Sequence, residues 1–593
     1  MTGRARWNRC RARSPCRCDG SPQAATRIKA TSASRKLRDI PSVRHEVARP
    51  LRRFVVTLAL LAGDCGMGWA TEMRAGEALP SFAELQDKGA VVGKISIDNQ
   101  NIFDLEDPEE NNFVFRTANT LHIKTRPEVI AQSLLFRSGD PVSVRLIEES
   151  ERVLRCNASV YHVSIQPEAY HDGVVDISVT TRDTWTLEPG IAFSRAGGSN
   201  STGVSLEESN LFGTGIAVGM AYTSTVDRAG TDFSFGYNHL FDGWTQIAYS
   251  IGSLDDGERQ AFKLVRPFYS LDSRWSAGVL GTKDDRIEST YQAAQIVNQY
   301  RYRQESAEVF GGLSSGLVGR WTQRYSVGLS YLDEKFTRDP FLVSPATLPP
   351  DQTLVSPFVR YELVEDDFKI MTNHKQIELA ESVAMGLHAQ AQIGRSLSEL
   401  GSSRELWLYS ARAEKGFQIR SKDTLMTSAS LSGQYGDGRV ERQFLGGAAE
   451  YYRPHAGRAV FYSSISGGVL RNPQVNDMLM LGGDNGLRGY PLRYQNGTQQ
   501  ALFTLEERVY TDWYPFRLFR VGGAVFFDVG RAWGGDFQNT ANPGWLSDVG
   551  FGLRILSCRS AFGNVLHADI AFPLNGDSDI RSVQFLLRSK ATF

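Results

Sequence analysis

Large apolar residues alternate with small or polar ones along most of the chain from about residue 190 to the end. Short stretches with this period of two are separated by clusters of Gly, Asp, Asn and Ser, as in strands joined by tight turns. The pattern is clear in residues 216–223, 233–238 and 325–331. It predicts antiparallel β-structure in which each strand has one apolar face and one small or polar face.

The number and length of these strands favour a membrane barrel over a soluble β-sandwich. A sandwich also alternates, so one strand alone decides nothing. Strands of about ten residues, sustained over roughly four hundred residues, suit a wall with lipid outside and a polar lumen inside. We count fifteen candidate strands before residue 488 and five after it. The pattern therefore predicts a transmembrane antiparallel β-barrel of up to twenty strands over 188–593.

The last predicted strand has the cleanest alternation. Residues 583, 585, 587, 589, 591 and 593 share one face, and the chain ends on Phe593. An amphipathic strand that closes on Phe resembles the C-terminal signal that outer-membrane barrels present for their own assembly. We assign Phe585, Leu587 and Phe593 to this signal.

Residues 91–187 differ from the rest of the chain, because predicted helices occur there together with predicted strands. A strand over 91–103 and an acidic loop over 104–112 precede two helices, 127–136 and 143–160, and two further strands, 161–168 and 174–187. Pro127 suits the first position of a helix. The order β-α-α-β-β predicts a small α+β domain with a mixed sheet. An exposed edge of that sheet could accept another strand.

The first 90 residues look like export and linker sequence. Residues 1–70 hold fifteen Lys and Arg against four Asp and Glu, whereas the whole chain has a net charge of −1. Arg52 and Arg53, the apolar run 54–62 and the small residues of 68–70 together indicate a secretory signal peptide. We expect 1–70 to be removed, with residues before about 42 an over-extended gene start, and 71–90 to be a linker. A buried core helix is the alternative for the apolar run.

Five motifs near the C terminus resemble the BamA/TamA superfamily of outer-membrane assembly and secretion barrels, also called bacterial surface antigens. They are LGGDNGLRGY (481–490), TLEERVY (504–510), FFDVGRAW (526–533), DVGFGLRI (548–555) and HADIAFPL (567–574). The α+β domain resembles a single polypeptide-transport-associated (POTRA) domain of that superfamily. Well-known relatives have sixteen strands, so the resemblance implies sixteen where the pattern implies up to twenty.

The resemblance also implies a loop that folds back into the barrel and pairs its Arg with an Asp of the inner wall. By motif the loop is Leu487, Arg488, Gly489 and Tyr490, and the Asp is Asp528. The alternation agrees, because Asp528 falls on the lumen face of its strand. Glu506, Arg508 and Arg554 fall on the polar faces of theirs and are further lumen candidates. A surface loop with ordinary charges is the alternative.

Other chemistry finds little support in the sequence. Residues 312–316 spell G-x-S-x-G, but no strand-turn-helix context surrounds them. The His residues show no metal-ligand spacing, so we expect no metal, no cofactor and no enzyme activity. A nucleic-acid partner would need a basic groove outside the N-terminal block, and none is evident.

The leading hypothesis is an outer-membrane protein with its N-terminal domain in the periplasm. It would insert or translocate polypeptides, capturing extended clients by β-augmentation. Any lateral opening would lie where the first strand meets the last, and Pro189 and Gly190 either weaken that first strand or mark its start. The expected partners are outer-membrane lipid, unfolded clients and periplasmic accessory proteins. The alternative is a passive channel or lipid conduit on the same scaffold.

Overall fold

The computed structural model describes residues 79–593 except 476, 536–543, 562–563, 579 and 591–593. The proposed signal peptide and Phe593 therefore lie outside the described residues. The described chain forms a small N-terminal module, residues 79–186, followed by a closed barrel.

The module is built from four helices and three strands. In chain order these are α1 Phe82–Asp87, β1 Val91–Gln100, α2 Phe113–Leu121, α3 Pro127–Gln132, α4 Val144–Arg155, β2 Val160–His171 and β3 Val174–Asp183. The sheet order is β1-β3-β2, with β1 parallel and β2 antiparallel to the central β3. The sheet is mixed, as expected, but the sequence pattern missed α1 and α2.

Local signals explain where the module's longer helices begin. Ser143 accepts a hydrogen bond from the N–H of Leu146 at the start of α4, and Asn112 accepts one from the N–H of Phe115 at the start of α2. Such caps satisfy amide groups that have no partner within the helix. The helices and the sheet enclose one apolar core, which contains Val92, Ile130, Ile147, Leu154, Val163, Ile177 and Val179 among others. Burying a side chain of this size contributes about 1.5–3 kcal/mol.

Twenty strands close the barrel. They are β4 Leu187–Ala196, β5 Ser199–Leu211, β6 Ile216–Ser224, β7 Ala229–Leu240, β8 Thr245–Leu254, β9 Gly257–Arg266, β10 Trp275–Gln292, β11 Gln295–Val318, β12 Trp321–Thr337, β13 Gln352–Glu365, β16 His388–Arg395, β17 Trp407–Gln418, β18 Thr424–Gly436, β19 Arg439–His455, β20 Ala459–Arg471, β23 Gln499–Tyr510, β24 Phe519–Trp533, β25 Leu546–Ser557, β26 Val565–Pro573 and β27 Gln584–Lys590. Two small hairpins lie in the connections, β14 Phe368–Thr372 with β15 Ala380–Ala384 and β21 Leu479–Leu481 with β22 Gln495–Gly497.

The barrel size decides between the two expected strand counts. The expectation of sixteen strands is wrong, and the count of twenty from the alternating pattern is confirmed, with fifteen strands before Arg488 and five after it. The pattern gave the right number because each strand carries its own alternation, whereas a family's usual size does not constrain an individual chain.

The two faces of the barrel wall follow the alternation. Met220, Phe233, Val309, Val327 and Val525 are exposed on the outside. On β24, Ala524, Phe526, Asp528 and Ala532 are buried on the inside. Within the described ranges, no helix is long and apolar enough to cross a bilayer. We call the end of the barrel beside the module the near end and the opposite end the far end.

Candidate functional site

A long connection between β20 and β23, residues 472–498, folds into the barrel from the far end. We call it the inward loop. Its Leu481, Leu487, Tyr490 and Tyr494 pack with Ala532 and Leu546 of the inner wall in one apolar cluster. Leu487 and Tyr490 are fully buried. The sequence motif predicted to fold inward therefore lies inside the lumen.

Arg488 is bound by two carboxylates of the inner wall. Its Nε and Nη2 donate to the two carboxylate oxygens of Asp528 at 2.6 and 2.8 Å, and its Nη1 donates to Glu506 at 2.7 Å. The guanidinium carbon lies 3.4 Å from the ring centroid of Phe526. Arg488 is only 4% exposed and Asp528 is fully buried. The two parallel hydrogen bonds to Asp528 fix the orientation of the Arg488 guanidinium as well as attracting its charge. A lysine has no planar fork of donors and could not reproduce this geometry.

Further charged side chains extend from the Arg488–Asp528 pair along the inner wall towards the near end. Glu506 accepts a hydrogen bond from Arg508 at 2.9 Å, and the Arg508 guanidinium stacks on Tyr462 at 3.8 Å. Arg554 contacts Asp569 on the neighbouring strand rather than Arg488. The structure thus brings four of the five predicted lumen residues into one network and places Arg554 in a separate ion pair.

The residues that flank Arg488 hold the loop backbone against the wall. The N–H of Gly489 donates to Asp548 at 3.0 Å, and the hydroxyl of Tyr490 donates to the carbonyl oxygen of Asn575 at 2.7 Å. A Cβ at residue 489 would lie 2.7 Å from the Asp548 side chain and 3.0 Å from the backbone of Pro573. Gly489 is therefore required by the close approach of the loop to two strands.

Further contacts carry the inward loop across the far end. Arg493 forms a two-pronged ion pair with Asp227, at 2.6 Å for both bonds, in the turn between β6 and β7. Arg442 of β19 pairs with Glu334 of β12 at 2.9 Å and with Asp477 of the loop at 3.2 Å. These pairs join strands from different sides of the barrel, so the far end of the lumen is bridged.

A second segment fills the lumen from the near end, and no sequence pattern indicated it. Residues 366–387, between β13 and β16, include the β14–β15 hairpin, and we call them the plug. Ile377 at its tip is fully buried and belongs to one apolar cluster with lumen-facing side chains of six neighbouring strands, β19, β20 and β23 to β26, namely Tyr452, Val460, Tyr510, Ala524, Leu556 and Val565. A cluster shared with the inner faces of six strands places the tip of the plug inside the barrel.

Polar contacts seat the plug and connect it to the charged network. Glu378 pairs with Arg458 at 2.8 Å and with Arg520 at 2.6 Å. The ring of His374 stacks on Tyr452 at 4.1 Å, and Tyr452 in turn lies edge-on to Tyr462, which carries Arg508. A continuous series of contacts therefore runs from Arg488 in the inward loop to the plug.

The module covers the near end of the barrel through several turns. Arg559 in the turn between β25 and β26 donates to Glu110 at 2.5 Å and to the carbonyl oxygen of Ile102 at 3.1 Å. The N–H of Arg126 donates to the carbonyl oxygen of Gly213 at 2.9 Å, and Arg152 lies over the ring of Phe368 in the plug at 4.3 Å. The module is thus docked on the barrel and on the plug together.

Glu149 makes this docking dependent on pH. It is 5% exposed and accepts a hydrogen bond from the N–H of Leu271 in the turn between β9 and β10 at 2.8 Å. Burial raises the pKa of the Glu149 carboxyl above its ordinary value, although the Leu271 N–H and the charges of Arg152 and Arg145 oppose the shift. The docked state therefore keeps a proton that the undocked state releases, so docking is strongest at low pH.

We expect the docked fraction to fall as the pH rises through the raised pKa of Glu149, and Glu149→Gln to abolish this dependence. The amide oxygen can still accept from Leu271 but carries no charge. Hydrogen exchange of the α4 amides, corrected for intrinsic rates and followed from pH 5 to 8, measures the effect. Glu148→Gln, on the exposed side of the same helix, is the control and should behave as the unchanged protein. An equal pH dependence in the Glu149→Gln protein would contradict this assignment.

The first and last strands of the barrel, β4 and β27, meet at a seam. Among the described residues, β27 pairs with β4 at one registered position, Leu587 with Arg195, whereas β23 and β24 share twelve. Inside the barrel the inward loop touches both sides of the seam. Arg588 of β27 donates to the carbonyl oxygen of Gly483 at 3.0 Å, and a Cβ at Gly483 would lie 2.5 Å from the backbone of Gly197, after β4.

An apolar groove follows the outside of the same seam. Its volume is about 820 Å³, and it is lined mainly by outward side chains of β4 and β23–β27, including Phe193, Val509, Phe551, Phe585 and Leu587. Two of the three residues assigned to the C-terminal signal, Phe585 and Leu587, therefore line this groove, and the third, Phe593, lies outside the described residues.

The module sheet has an outer strand, but that strand is partly occupied. β2 lies at the sheet edge beside β3, and the N–H of its Ile165 donates to the Glu151 carboxylate of α4 at 3.0 Å. β2 also contains Pro167, next to an irregularity in its pairing. An added strand would have to displace Glu151, so the edge is less open than the sequence suggested.

Sequence reasoning missed the plug, the docking contacts and the wall carboxylates Asp548 and Asp569. Asp548 and Asp569 lie inside the recognised motifs at positions that alternate with outward residues. The alternation that identified Asp528 would also have identified them. The plug has no such signal, because its contacts come from distant strands.

Several solved structures are similar to this chain. BamA from Haemophilus ducreyi lacking POTRA domains 1-3 matches with a TM-score of 0.36 and 13% identity, covering 84% of each chain. CdiB from Acinetobacter baumannii matches with a TM-score of 0.43 and 12% identity over 84% of this chain and 74% of that one. CdiB from Escherichia coli matches with 0.42 and 12% over 88% and 93%.

BamA, which the superfamily resemblance of the sequence motifs implied, is thus among the structural neighbours. No protein-family model matches the sequence, and no curated protein matches it. At 12–13% identity and TM-scores below 0.5 these likenesses do not carry an activity over, so the function has to be argued from the chain's own residues.

Proposed function

We propose that this protein is an outer-membrane β-barrel, with its module in the periplasm, that inserts or translocates polypeptides. The apolar exterior and polar interior of the wall suit a bilayer-spanning barrel. The near end then faces the periplasm, where the covering module first meets a client. The single observation that carries the proposal is a lumen filled from both ends beside a seam where, in the part of the chain that the structure describes, β27 and β4 share one registered position.

The filled lumen argues against a passive channel. A passive channel needs a water-filled path, and here the inward loop bridges the far end while the plug and the module occupy the near end. The seam is the candidate site of opening, since among the described residues β4 pairs with β27 at one registered position. An unpaired strand edge is a template for another strand, which is how a client could enter the wall.

Client capture in the periplasm belongs to the same proposal. The outer edge of β2 is the candidate acceptor, and release of Ile165 by Glu151 would free an amide for an incoming strand. Main-chain hydrogen bonds supply affinity without requiring a particular client sequence. Accessory proteins of the periplasm are further candidate partners.

A lipid conduit remains the second candidate function, and the groove outside the seam favours it. Its apolar lining and volume of about 820 Å³ could receive an acyl chain. Depleting the protein and comparing the outer-membrane proteome with the lipid composition separates the two functions. Loss of particular proteins supports insertion or translocation, whereas a lipid imbalance with an intact proteome supports the conduit.

Locking the seam tests the proposed opening directly. Cysteines at Arg195 and Leu587, the registered pair, lie at a separation that a disulfide can bridge. We expect the oxidised double variant to lose client insertion in cells that depend on it, and to regain it on reduction. The control is a disulfide between Val309 and Leu329, an outward registered pair of β11 and β12. Full activity with the seam locked would refute a lateral opening.

A further inference from the structure

Helix α2 of the module exposes an apolar face that no described residue covers. Phe113, Val114 and Leu121 are 76, 65 and 69% exposed, and Ile123 just after the helix is 54% exposed. Thr117 lies between Phe113 and Leu121 on the same face, because residues four apart are neighbours on a helix. The opposite face of α2 is buried, with Phe115 stacked on Phe103 at 4.0 Å between ring centroids. The exposed face is therefore held in a fixed orientation.

The docking contacts place α2 along the near-end rim below the seam. At one end of α2, Leu518 of the turn between β23 and β24 packs against the cluster of Ile102, Phe103 and Phe115. Just beyond the other end, Arg126 donates to the carbonyl oxygens of Phe212 and Gly213 in the turn between β5 and β6. The strands between these two turns are β24 to β27 and then β4 and β5, so the seam lies within this arc.

The barrel turns at both ends of the arc add exposed aromatic residues. Trp513 and Phe516 belong to the first turn, and Phe212 belongs to the second. We call the exposed face of α2 and the two aromatic residues of the first turn the rim patch: Phe113, Val114, Leu121, Ile123, Trp513 and Phe516. The outer wall above the first turn is apolar as well, since Val509 and Val525 are exposed on the two strands that this turn joins.

The charges around the rim patch suit a lipid headgroup layer. Arg116, Lys124 and Arg126 are exposed beside the patch. In the acidic loop that precedes α2, Glu110 binds Arg559 and Asp107 lies 3.7 Å from Arg517, so two of its carboxylates face barrel arginines, whereas Glu106 and Glu109 are exposed. Apolar and aromatic side chains flanked by basic residues are the composition of helices that lie at a membrane surface.

We propose that the rim patch rests in the periplasmic leaflet of the outer membrane, so that α2 anchors the module to lipid directly below the seam. This inference rests on the proposed membrane orientation of the barrel. The occupant of the patch is the lipid surface, and its chemistry is that of acyl chains with anionic headgroups at the rim.

A spin label on α2 tests the contact in the full chain. Thr117→Cys carries a nitroxide in vesicles of phosphatidylethanolamine and phosphatidylglycerol, and its collisions with oxygen and with a water-soluble nickel chelate are compared. We expect oxygen to dominate at residue 117. The control label at Val174→Cys is also on an exposed apolar position, but it lies at the opposite end of β3, about 30 Å from the barrel rim, and the nickel chelate should dominate there.

Charge substitutions supply the second measurement. Leu121→Glu should shift the label at 117 towards the nickel chelate, whereas Val174→Glu should leave it unchanged. A water-exposed label at 117 in vesicles overturns the proposal. If that label becomes protected only when an unfolded polypeptide is added, the patch is a client site and not a lipid site. If the disulfide across the seam leaves client insertion unchanged while lipid protects the label at residue 117, the proposed function is refuted and the lipid contact is still supported.

Discussion

Replacing Arg488 with Ala is expected to lower the free energy of unfolding of the barrel by about 3–5 kcal/mol, the usual cost of leaving a buried charge without its partner. In the variant, the carboxylates of Asp528 and Glu506 repel each other inside the barrel, because the guanidinium that binds both of them is gone. It also releases the inward loop at its most buried polar contact. Arg488→Lys should recover part of the loss, because it restores the charge but not the two-pronged geometry.

Urea unfolding of the purified protein in detergent, followed by tryptophan fluorescence, measures this change. Arg439→Ala is the matched control, since Arg439 pairs with Glu441 at 3.2 Å but is 71% exposed as a side chain. An exposed pair contributes at most about 1 kcal/mol. Equal midpoints for the Arg488→Ala and Arg439→Ala proteins would show that the Arg488 network does not stabilise the barrel.

Unseating the plug is expected to open the barrel to ions. Ile377→Asp places a carboxylate in an apolar cluster formed with six strands of the wall, and burying it would cost several kcal/mol unless the plug leaves. A cost of about 3 kcal/mol lowers the seated fraction roughly a hundredfold relative to the unseated one. Single-channel conductance in planar bilayers should change from rare openings in the unchanged protein to frequent ones in the variant.

The plug itself provides the control for this experiment. Ile370 lies on the same hairpin but is 66% exposed, so Ile370→Asp should leave the conductance as it was. A variant in which a short Gly-Ser linker replaces 368–384 separates seating from folding, because it removes the plug without burying a charge. If neither Ile377→Asp nor the linker variant conducts, the inward loop and the module close the lumen without the plug, and the expected opening is wrong.

The two experiments probe the ends of one connected structure. The contacts from Arg488 through Glu506 and Arg508 to Tyr462, Tyr452 and His374 join the inward loop to the plug. Contact alone does not establish coupling, so the test is energetic. If Arg488→Ala also raises the conductance, the inward loop and the plug share a two-state equilibrium. If Arg488→Ala lowers the stability but leaves the conductance unchanged, the two segments act independently.

What could be read from the sequence is what each strand specifies locally. Alternation is a property of neighbouring residues, so it yielded twenty strands and the inward direction of Asp528, Glu506 and Arg508 before any strand was paired. The sixteen strands that the resemblance implied are wrong, because the motifs that carry it lie near the C terminus and do not determine how many strands precede them. Helix α2 was missed because its apolar residues lie on two faces, the buried Phe115 on one and the exposed Phe113 and Leu121 on the other.

Only the closed barrel decides the rest. Ile377 is buried because β19, β20 and β23 to β26 curve past it, and nothing within 366–387 encodes that enclosure. The module docks through Arg559 and Glu110, which are 449 residues apart in the chain. Such contacts form only after the ends of the strands have been brought together, and the sequence pattern carries no information about distances across a lumen. The strands of the barrel wall can therefore be predicted from the sequence. The plug in the lumen and the docking of the module over the near end are seen only in the tertiary structure.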